Sequence, residues 1–258
     1  MNFKTLVYQV LDAVTFYKGF ACHVNGFKIY FPAKWFRYFE NDYEKENILF
    51  LKEQIKPGMT VIDIGAHLGL MSVICAQLTG KTGKVYGFEP TSATFAVLTE
   101  VIRLNGKQDV IFPQNKAVSN FIGELDFFID NNEGSNANSL VSRSDKKRST
   151  RKMDVITLDA FVTGQAIGQL DLVKIDAEGS ELDVLLGSRK SLEQFRPRMI
   201  LALHPDLIRN NGQSLAAIYD LLIKLNYQVF FKAQRLSKDA FCATKDLFDV
   251  HLLPDSHA

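Results

Sequence analysis

The sequence has little that would cross-link it or carry it through a bilayer. Its three cysteines, Cys22, Cys75 and Cys242, are isolated, with no C-x-x-C pair, so neither a disulfide framework nor a zinc site is indicated. Cys75 falls on an apolar helical face and reads as a small buried hydrophobe rather than a nucleophile. No apolar run approaches the roughly 20 residues of a membrane span. The N-terminal stretch is broken by Lys4, Gln9 and Asp12 and has no small-residue cleavage site, so no signal peptide is expected in it. An excess of one charge is lacking as well. A formal net charge of +1 leaves no global footprint for nucleic acid or anionic lipid, so only a local basic patch stays open and no nucleic-acid partner is expected. These absences point to a reducing, cytoplasmic setting. No internal repeat is visible.

What is present is ordinary for a globular chain: 258 residues, 47% apolar and 23% charged, enough to bury a core. Residues Phe3, Leu6, Val7, Val10, Leu11 and Val14 recur at helical spacing. They predict an amphipathic helix that packs on the domain, on a second subunit or on a membrane surface. Residues 23–32 alternate around Asn25-Gly26, a hairpin signal. Trp35, Phe36, Tyr38, Phe39 and Tyr43 follow closely, as core packing or as one wall of a pocket. Asp42 is placed to cap a helix over 43–54, which Pro57-Gly58 ends.

From Met59 the pattern turns to alternating strand and helix, which argues for α/β architecture with parallel βαβ units. The expected strands cover 59–64, 84–88, 110–114, 170–175, 199–204 and 227–232, with helices over 68–78, 92–104, 181–187 and 214–225. Residues 241–253 offer one or two further strand candidates. Residues 117–130, alternating around Gly123, read as an inserted antiparallel hairpin, and 131–152 as a polar and then basic loop. The segment reads as a lid, a substrate loop or a disordered excursion, with Asn136 and Asn138 as turn residues or sugar-hydroxyl contacts, and Arg143, Lys146, Lys147, Arg148, Arg151 and Lys152 as a solvated run or a phosphate or nucleic-acid contact. The domain organisation expected is thus 1–57 as N-terminal helix, hairpin and aromatic segment packed on the core. A domain over 58–258 follows, with its insertion at 117–152.

The stretch Val61-Ile62-Asp63-Ile64-Gly65-Ala66-His67-Leu68-Gly69 reads as buried strand, glycine-bearing turn and helix start. Dinucleotide cradles use G-x-G-x-x-G, which this spacing does not supply. An acid at the end of the first strand would repel a diphosphate, yet suits a cofactor bearing an ammonium and a sulfonium, such as S-adenosylmethionine. Glu89, in Gly87-Phe88-Glu89-Pro90 after the second strand, can accept hydrogen bonds from both ribose hydroxyls. Farther on, Lys174-Ile175-Asp176-Ala177-Glu178-Gly179-Ser180-Glu181 crowds polar residues at the C-terminal end of an apolar strand, where ligands of open α/β sheets bind. Asp176 and Glu178 could take a hydroxyl proton, hold a metal together with His204, or form a structural turn. Glu181 and Asp183 read as charges placed to favour a helix N-terminus. His204, ending the fifth core strand, is a second candidate base.

Together these segments resemble the FkbM family of S-adenosylmethionine-dependent methyltransferases, over about residues 43–204. The resemblance implies the Rossmann-like class I methyltransferase fold, a seven-stranded, mostly parallel sheet with helices on both faces and its last strand antiparallel. It implies O-methylation of a hydroxyl on a sugar, glycan or natural product, with S-adenosylhomocysteine as the second product. The cofactor-binding set it implies is Asp63, Gly65, Ala66, His67, Gly69, Glu89, Pro90 and Asp176, with Asp176, His204 and Glu178 as catalytic candidates. Two positions depart from the family's pattern. His67 stands where Asn is common, and Ala202 where the fifth strand often carries Glu. In-line transfer needs alignment more than covalent help, with Asp176 or His204 as base and a divalent metal an open addition. A small-molecule or glycan acceptor is expected between the aromatic segment and the 131–152 loop, and a homo-oligomer stays open. The competing readings are a non-catalytic interaction module with a methyltransferase-like fold and an NAD(P)-dependent oxidoreductase.

Overall fold

The computed structural model describes residues 3–130 and 148–255. Helix α1 (Phe3–Val14) leads to a hairpin of β1 (Phe20–Val24) and β2 (Phe27–Phe31), whose turn places Asn25 and Gly26 at positive φ, as the Asn-Gly signal predicts. Helix α2 (Lys45–Gln54) follows. It begins two residues later than expected, and Asp42 does not cap it. Glu44 flanks its start in a left-handed conformation without a capping side-chain bond.

The core then alternates through β3 (Thr60–Ile64), α3 (Leu70–Thr79), β4 (Lys84–Phe88), α4 (Ser92–Leu104) and β5 (Ile111–Gln114). The insertion consists of β6 (Ala117–Val118), β7 (Gly123–Asp130) and β8 (Arg148–Ile156). Next come α5 (Leu158–Gly164), β9 (Leu172–Ile175), α6 (Glu181–Leu186), α7 (Arg189–Phe195), β10 (Arg198–Leu203), α8 (Pro205–Asn210) and α9 (Leu215–Lys224). The described chain closes with β11 (Tyr227–Phe231), β12 (Gln234–Arg235), α10 (Lys238–Ala243) and β13 (Phe248–Pro254).

The main sheet runs β12-β11-β13-β10-β9-β3-β4-β5. Strands β5, β4, β3, β9 and β10 are mutually parallel, and β13 is antiparallel to both of its neighbours. This is the expected sheet with its antiparallel final strand, enlarged to eight by the two-residue edge β12. The insertion differs from the hairpin expected around Gly123. Strands β6 and β7 do not pair with each other; both flank β8, β6 parallel and β7 antiparallel, so residues before and after the 131–147 segment form one small sheet. The loop residues Asn136, Asn138, Arg143, Lys146 and Lys147 lie outside the described residues. Arg148, Arg151 and Lys152 belong to β8 rather than to a loop. In the tail, Phe241 and Cys242 sit on helix α10, capped by Ser237, and not on a strand.

Strands β3 and β9 are buried along their whole length, the pattern of parallel strands covered on both faces. One apolar cluster fills the face under α5 to α10; the other fills the opposite face, where the hairpin residues Val24, Ile29 and Phe31 join α3 and α4. Asn105 stitches the hairpin down, bonding both the N–H and the carbonyl of Tyr30 at 2.9 Å. Two charges interrupt the buried strands, Asp63 in β3 and Lys174 in β9, and they stand opposite each other in register. Among the described residues no helix is long and apolar enough to cross a membrane.

Candidate active site and cofactor cleft

An open cleft lies at the C-terminal ends of β3, β4 and β9. Gly65, Ala66, His67, Glu89, Pro90, Asp176 and Glu178 all line it. The turn after β3 is tied to the neighbouring strand by two backbone bonds, Gly65 N–H and Ala66 N–H both donating to the Phe88 carbonyl at 3.0 and 2.9 Å. Gly65 (φ 81°) has its α-carbon against the Asp176 backbone: a Cβ there would stand 2.1 Å from the Asp176 carbonyl oxygen. Gly69 is not on the cleft wall; its missing Cβ makes room for Leu98 of α4.

His67 takes a left-handed φ of 49°, a conformation in which Asn, Asp and His are enriched among residues other than glycine. That accounts for an Asn-to-His exchange at this turn. Burial pushes the imidazole pKa down to about 4, so the ring is neutral near pH 7 and lies against Tyr38. Its backbone N–H donates to Glu89 Oε2 at 3.1 Å, while Thr91 N–H donates to Oε1 at 2.9 Å. The Thr91 side chain bonds this carboxylate as well, and of its about four acceptor sites one is left over. Burial raises the Glu89 pKa to about 7, opposed by the Thr91 and His67 bonds.

A ligand offering a hydroxyl donor needs the ionised Glu89, whose population rises through about pH 7. Affinity for S-adenosylmethionine is therefore expected to strengthen about tenfold between pH 6 and pH 8, by the growth of the competent fraction. Calorimetry at both pH values reads this, and the same slope in Glu89→Gln would contradict it.

Asp63 stands elsewhere than expected. It is fully buried below the cleft, not on its wall. Ser72 Oγ donates to Asp63 Oδ2 at 2.6 Å, and Lys174 Nζ lies 3.9 Å from Oδ1. Lys174 also bonds Asp176 Oδ2 at 3.3 Å. Burial alone would lower the lysine pKa, but Asp176, Asp63, Glu44 and Asp249 together hold it well above its ordinary value. Burial would raise the Asp176 pKa; Lys174 and His204 outweigh it and hold that carboxyl below the usual range. Asp176 is therefore an ionised group, about one-third exposed, at the cleft.

His204 does not line the cleft. It stands behind Asp176, with Nε2 3.7 Å from Asp176 Oδ1 and Nδ1 2.9 Å from Glu181 Oε1. Burial works against its protonation, yet the Glu181 bond and the charges of Asp176, Glu181 and Glu178 raise its pKa. These interactions favour the protonated ring beside Asp176. Glu181 is more than a helix-end charge: it is fully buried and accepts from Gly179 N–H at 2.9 Å in addition to meeting His204. Asp183 does sit in the first turn of α6, where Asn120 and Gln213 donate to it at 2.9 Å.

Several residues of the site were not singled out from sequence. Lys174 had a readable signal, a lone charge inside a buried apolar strand. Asp249 had none, because its place depends on β13 entering the sheet, where it pairs with Ala202. A carboxylate thus stands one strand away from the position where the family often has Glu. Burial, then Glu44, raises the Asp249 pKa to about 6, and Asn47 Nδ2 donates to it at 2.7 Å. Asn47 also donates to Glu44 at 2.9 Å and lies 3.0 Å from His251 Nε2. Phe39 and Tyr43 of the aromatic segment line the cleft, and burial with Glu44 raises the Tyr43 pKa. Among the described residues, no three His, Cys, Asp or Glu side chains gather as a metal-binding set.

The family model described as the methyltransferase FkbM domain matches residues 63–229. The chain belongs to the FkbM family of S-adenosylmethionine-dependent methyltransferases. The match begins on the buried acid of β3 and ends within β11, so it takes in the loop, Glu89, the Asp176 turn and His204. The chain is similar to the hexuronic acid methyltransferase AglP of Haloferax volcanii, 26% identical over 153 residues, 58% of each chain. It is also similar to the ribosomal protein L11 methyltransferase of Caldanaerobacter subterraneus, 30% identical over 82 residues, 32% of this chain and 26% of that protein. The chain thus spans between about a quarter and three fifths of these relatives. Among solved structures, a putative rRNA methylase from Clostridium thermocellum has a TM-score of 0.50 at 13% identity, over 83% of this chain and 96% of that one, a likeness of fold.

The residues present fit the family's cofactor. The backbone of Gly65, Ala66 and His67 lines the cleft, with Gly65 letting the turn pack against the Asp176 backbone, and the buried Glu89 carboxylate offers an acceptor to a diol. The carboxylates at Asp176 and Glu178 favour a cationic group.

Proposed function

We propose that this chain methylates a hydroxyl oxygen on a sugar or similar polyhydroxylated small molecule, with Asp176 accepting the hydroxyl proton. When bound, S-adenosylmethionine supplies a methyl activated on sulfur and is left as S-adenosylhomocysteine. The backbone of Gly65, Ala66 and His67, with Glu89 and Pro90, would hold it. The observation that carries the reading is Asp176, an ionised carboxylate at the cleft beside the glycine turn, held in place by Lys174 and His204. A carboxylate of low pKa suffices. As the acceptor oxygen gains its bond to the methyl carbon, its O–H becomes strongly acidic and the proton passes to Asp176 without a stronger base. Asp63 acts one layer below, fixing Lys174, and His204 acts as a positioning residue through the same carboxylate.

A sugar acceptor is supported by the relative named as a hexuronic acid methyltransferase. Glu44, Asp176 and Glu178 line one cleft together with Lys116 and Lys174, so it offers acceptors to sugar hydroxyls and cations to an acidic sugar. The missing carboxylate at Ala202 is the one feature favouring a non-catalytic interaction module, and Asp249 opposite it weakens that argument.

Calorimetry with S-adenosylmethionine, followed by a labelled-methyl transfer screen against neutral and acidic sugars and small alcohols, tests the proposal. Asp176→Asn should lower kcat on the order of a hundredfold at saturating cofactor, a larger loss than that in cofactor affinity. Absence of cofactor binding in the wild type would sink the enzyme reading; unchanged kcat in Asp176→Asn would remove the role of that residue.

A further inference from the structure

Helix α1 is turned the opposite way from a surface helix of a globular protein. Among its described side chains the partly buried ones are Tyr8 and Asp12, on one polar face that Thr15 continues just past the helix. Asp12 is the anchor: its carboxylate accepts from Ala33 N–H at 2.8 Å, and its carbonyl accepts from Thr15 Oγ1 and from Tyr17 N–H. Leu6, Val7, Val10, Leu11 and Val14 form the opposite face and are all exposed, Val10 to 53% and Val14 to 70%.

The end of the helix continues this face. Phe16 and Tyr17 take left-handed φ angles of 53° and 56°, closing the helix with the paired bonds Phe16 N–H to Ala13 and Tyr17 N–H to Asp12. That motif normally places glycine where Phe16 stands. An aromatic residue is used instead, and it is 83% exposed, with Tyr17 at 61%. Five aliphatic and two aromatic side chains in a row on the solvent side are costly unless something covers them.

Charge says what covers them. Residues 1–37 contain Lys4, Lys18, Lys28, Lys34 and Arg37 against the single acid Asp12, whose carboxylate is turned inward; the next acid is Glu40. This stretch is net +4, so the remaining residues are net −3 in a chain of +1. Lys34 and Arg37 are exposed on the turn that Asp12 grips through Ala33, beside Trp35 and Phe36. A second copy docking by the same face would bring two such positive stretches together, which opposes association. An anionic lipid surface meets the charges with the opposite sign and accepts the apolar face among its acyl chains, the usual arrangement of an interfacial helix.

We infer that α1 and the Phe16-Tyr17 turn form a docking surface for an anionic membrane. The helix lies in the plane of the interface, and Lys18, Lys34 and Arg37 rest at the headgroups. The anchor turn leads straight into the segment carrying Phe39, which lines the cofactor cleft, so the docked surface and the cleft share one continuous piece of chain.

The test is co-sedimentation of the full chain with vesicles of phosphatidylcholine alone or mixed with phosphatidylglycerol. The expected result is binding to the anionic vesicles that exceeds binding to the neutral ones at least about tenfold and weakens as salt is raised. Val10→Asp with Val14→Asp, whose side chains face water, should abolish sedimentation with an unchanged melting temperature. Lys34→Glu with Arg37→Glu should reduce it through charge alone. The proposal is overturned if the wild type stays in the supernatant with both vesicles, or if both paired variants bind as the wild type does. A dimer in analytical ultracentrifugation that Val10→Asp with Val14→Asp dissolves would instead assign the face to a second copy.

Discussion

Gly65→Ala is expected to abolish S-adenosylmethionine binding and to destabilise the chain by about 3 kcal/mol. Two costs combine. Alanine at φ 81° is in a backbone region that disfavours any Cβ, and that Cβ would stand 2.1 Å from the Asp176 carbonyl oxygen and 3.1 Å from its carbon. The clash is with backbone, so no side-chain rotation relieves it. The ends of β3 and β9 must separate, breaking the Asp176 N–H bond to the Ile64 carbonyl and carrying the Asp176 carboxylate out of place. Gly69→Ala provides the contrast. Its Cβ meets the terminal Cδ1 of Leu98 at 2.6 Å, an atom that can swing aside, so melting should fall less and binding should survive. Calorimetry and thermal melting of both variants read the difference. Equal behaviour of the two would show that the strand-end contact is not what the glycine protects.

Lys174→Met should lower stability by about 3–5 kcal/mol, the cost of stranding buried charges. Methionine fills most of the space but leaves Asp63, fully buried, with Ser72 as its remaining partner, and Asp176 without its closest cation. The pH dependence follows from the two acids. Asp63 is raised by burial, with Lys174 the largest opposing influence, and loss of the lysine raises it further. A carboxyl raised in the folded state costs nothing below its unfolded pKa and destabilises increasingly as pH climbs toward the folded value. Asp176, held low by Lys174, loses a stabilisation that exists only when it is ionised. Both effects vanish once the acids are protonated. The gap between wild type and Lys174→Met should therefore be widest near pH 8 and narrow as pH falls. Adding Asp63→Asn should recover part of the loss. A gap that widens in acid would contradict this account.

The parallel core was legible because its signals are local. Residues 84–88 and 92–104 fold as the strand and helix expected, since an apolar run and a long amphipathic period each announce one kind of element. Helices α5, α7, α8 and α10, of six or seven residues, show too little periodicity to be read that way. Their caps were nonetheless available in Thr157, Ser237 and the Pro205 that opens α8. The same division runs through the site. Gly65, Glu89 and Asp176 belong to short motifs and line the cleft. Asp63 was expected to face the ligand because it ends a strand, but strand alternation and its register with Lys174 direct it into the interior. Glu44, Asn47 and Asp249 converge from opposite ends of the chain, and no local pattern announces a contact across 202 positions.

The entry of β13 between β10 and β11 has a consequence for how the chain is made. Strand β11 precedes β13 in the chain, yet its ladder partners are β12 and β13, not β10. A nascent chain that has emerged as far as Phe231 can therefore hold parallel strands from β5 to β10, with the edge of β10 open and 227–231 waiting without a sheet to join. Residues 199–203 on that edge are buried in the finished fold, so the half-made molecule presents an unpaired apolar strand, the surface that chaperones grip and other chains adhere to. Delivery of residues 248–254 closes the edge and in the same motion brings Asp249 to Asn47. Translation past β13 thus covers the open edge of β10 and joins Asp249 to Asn47 at one moment.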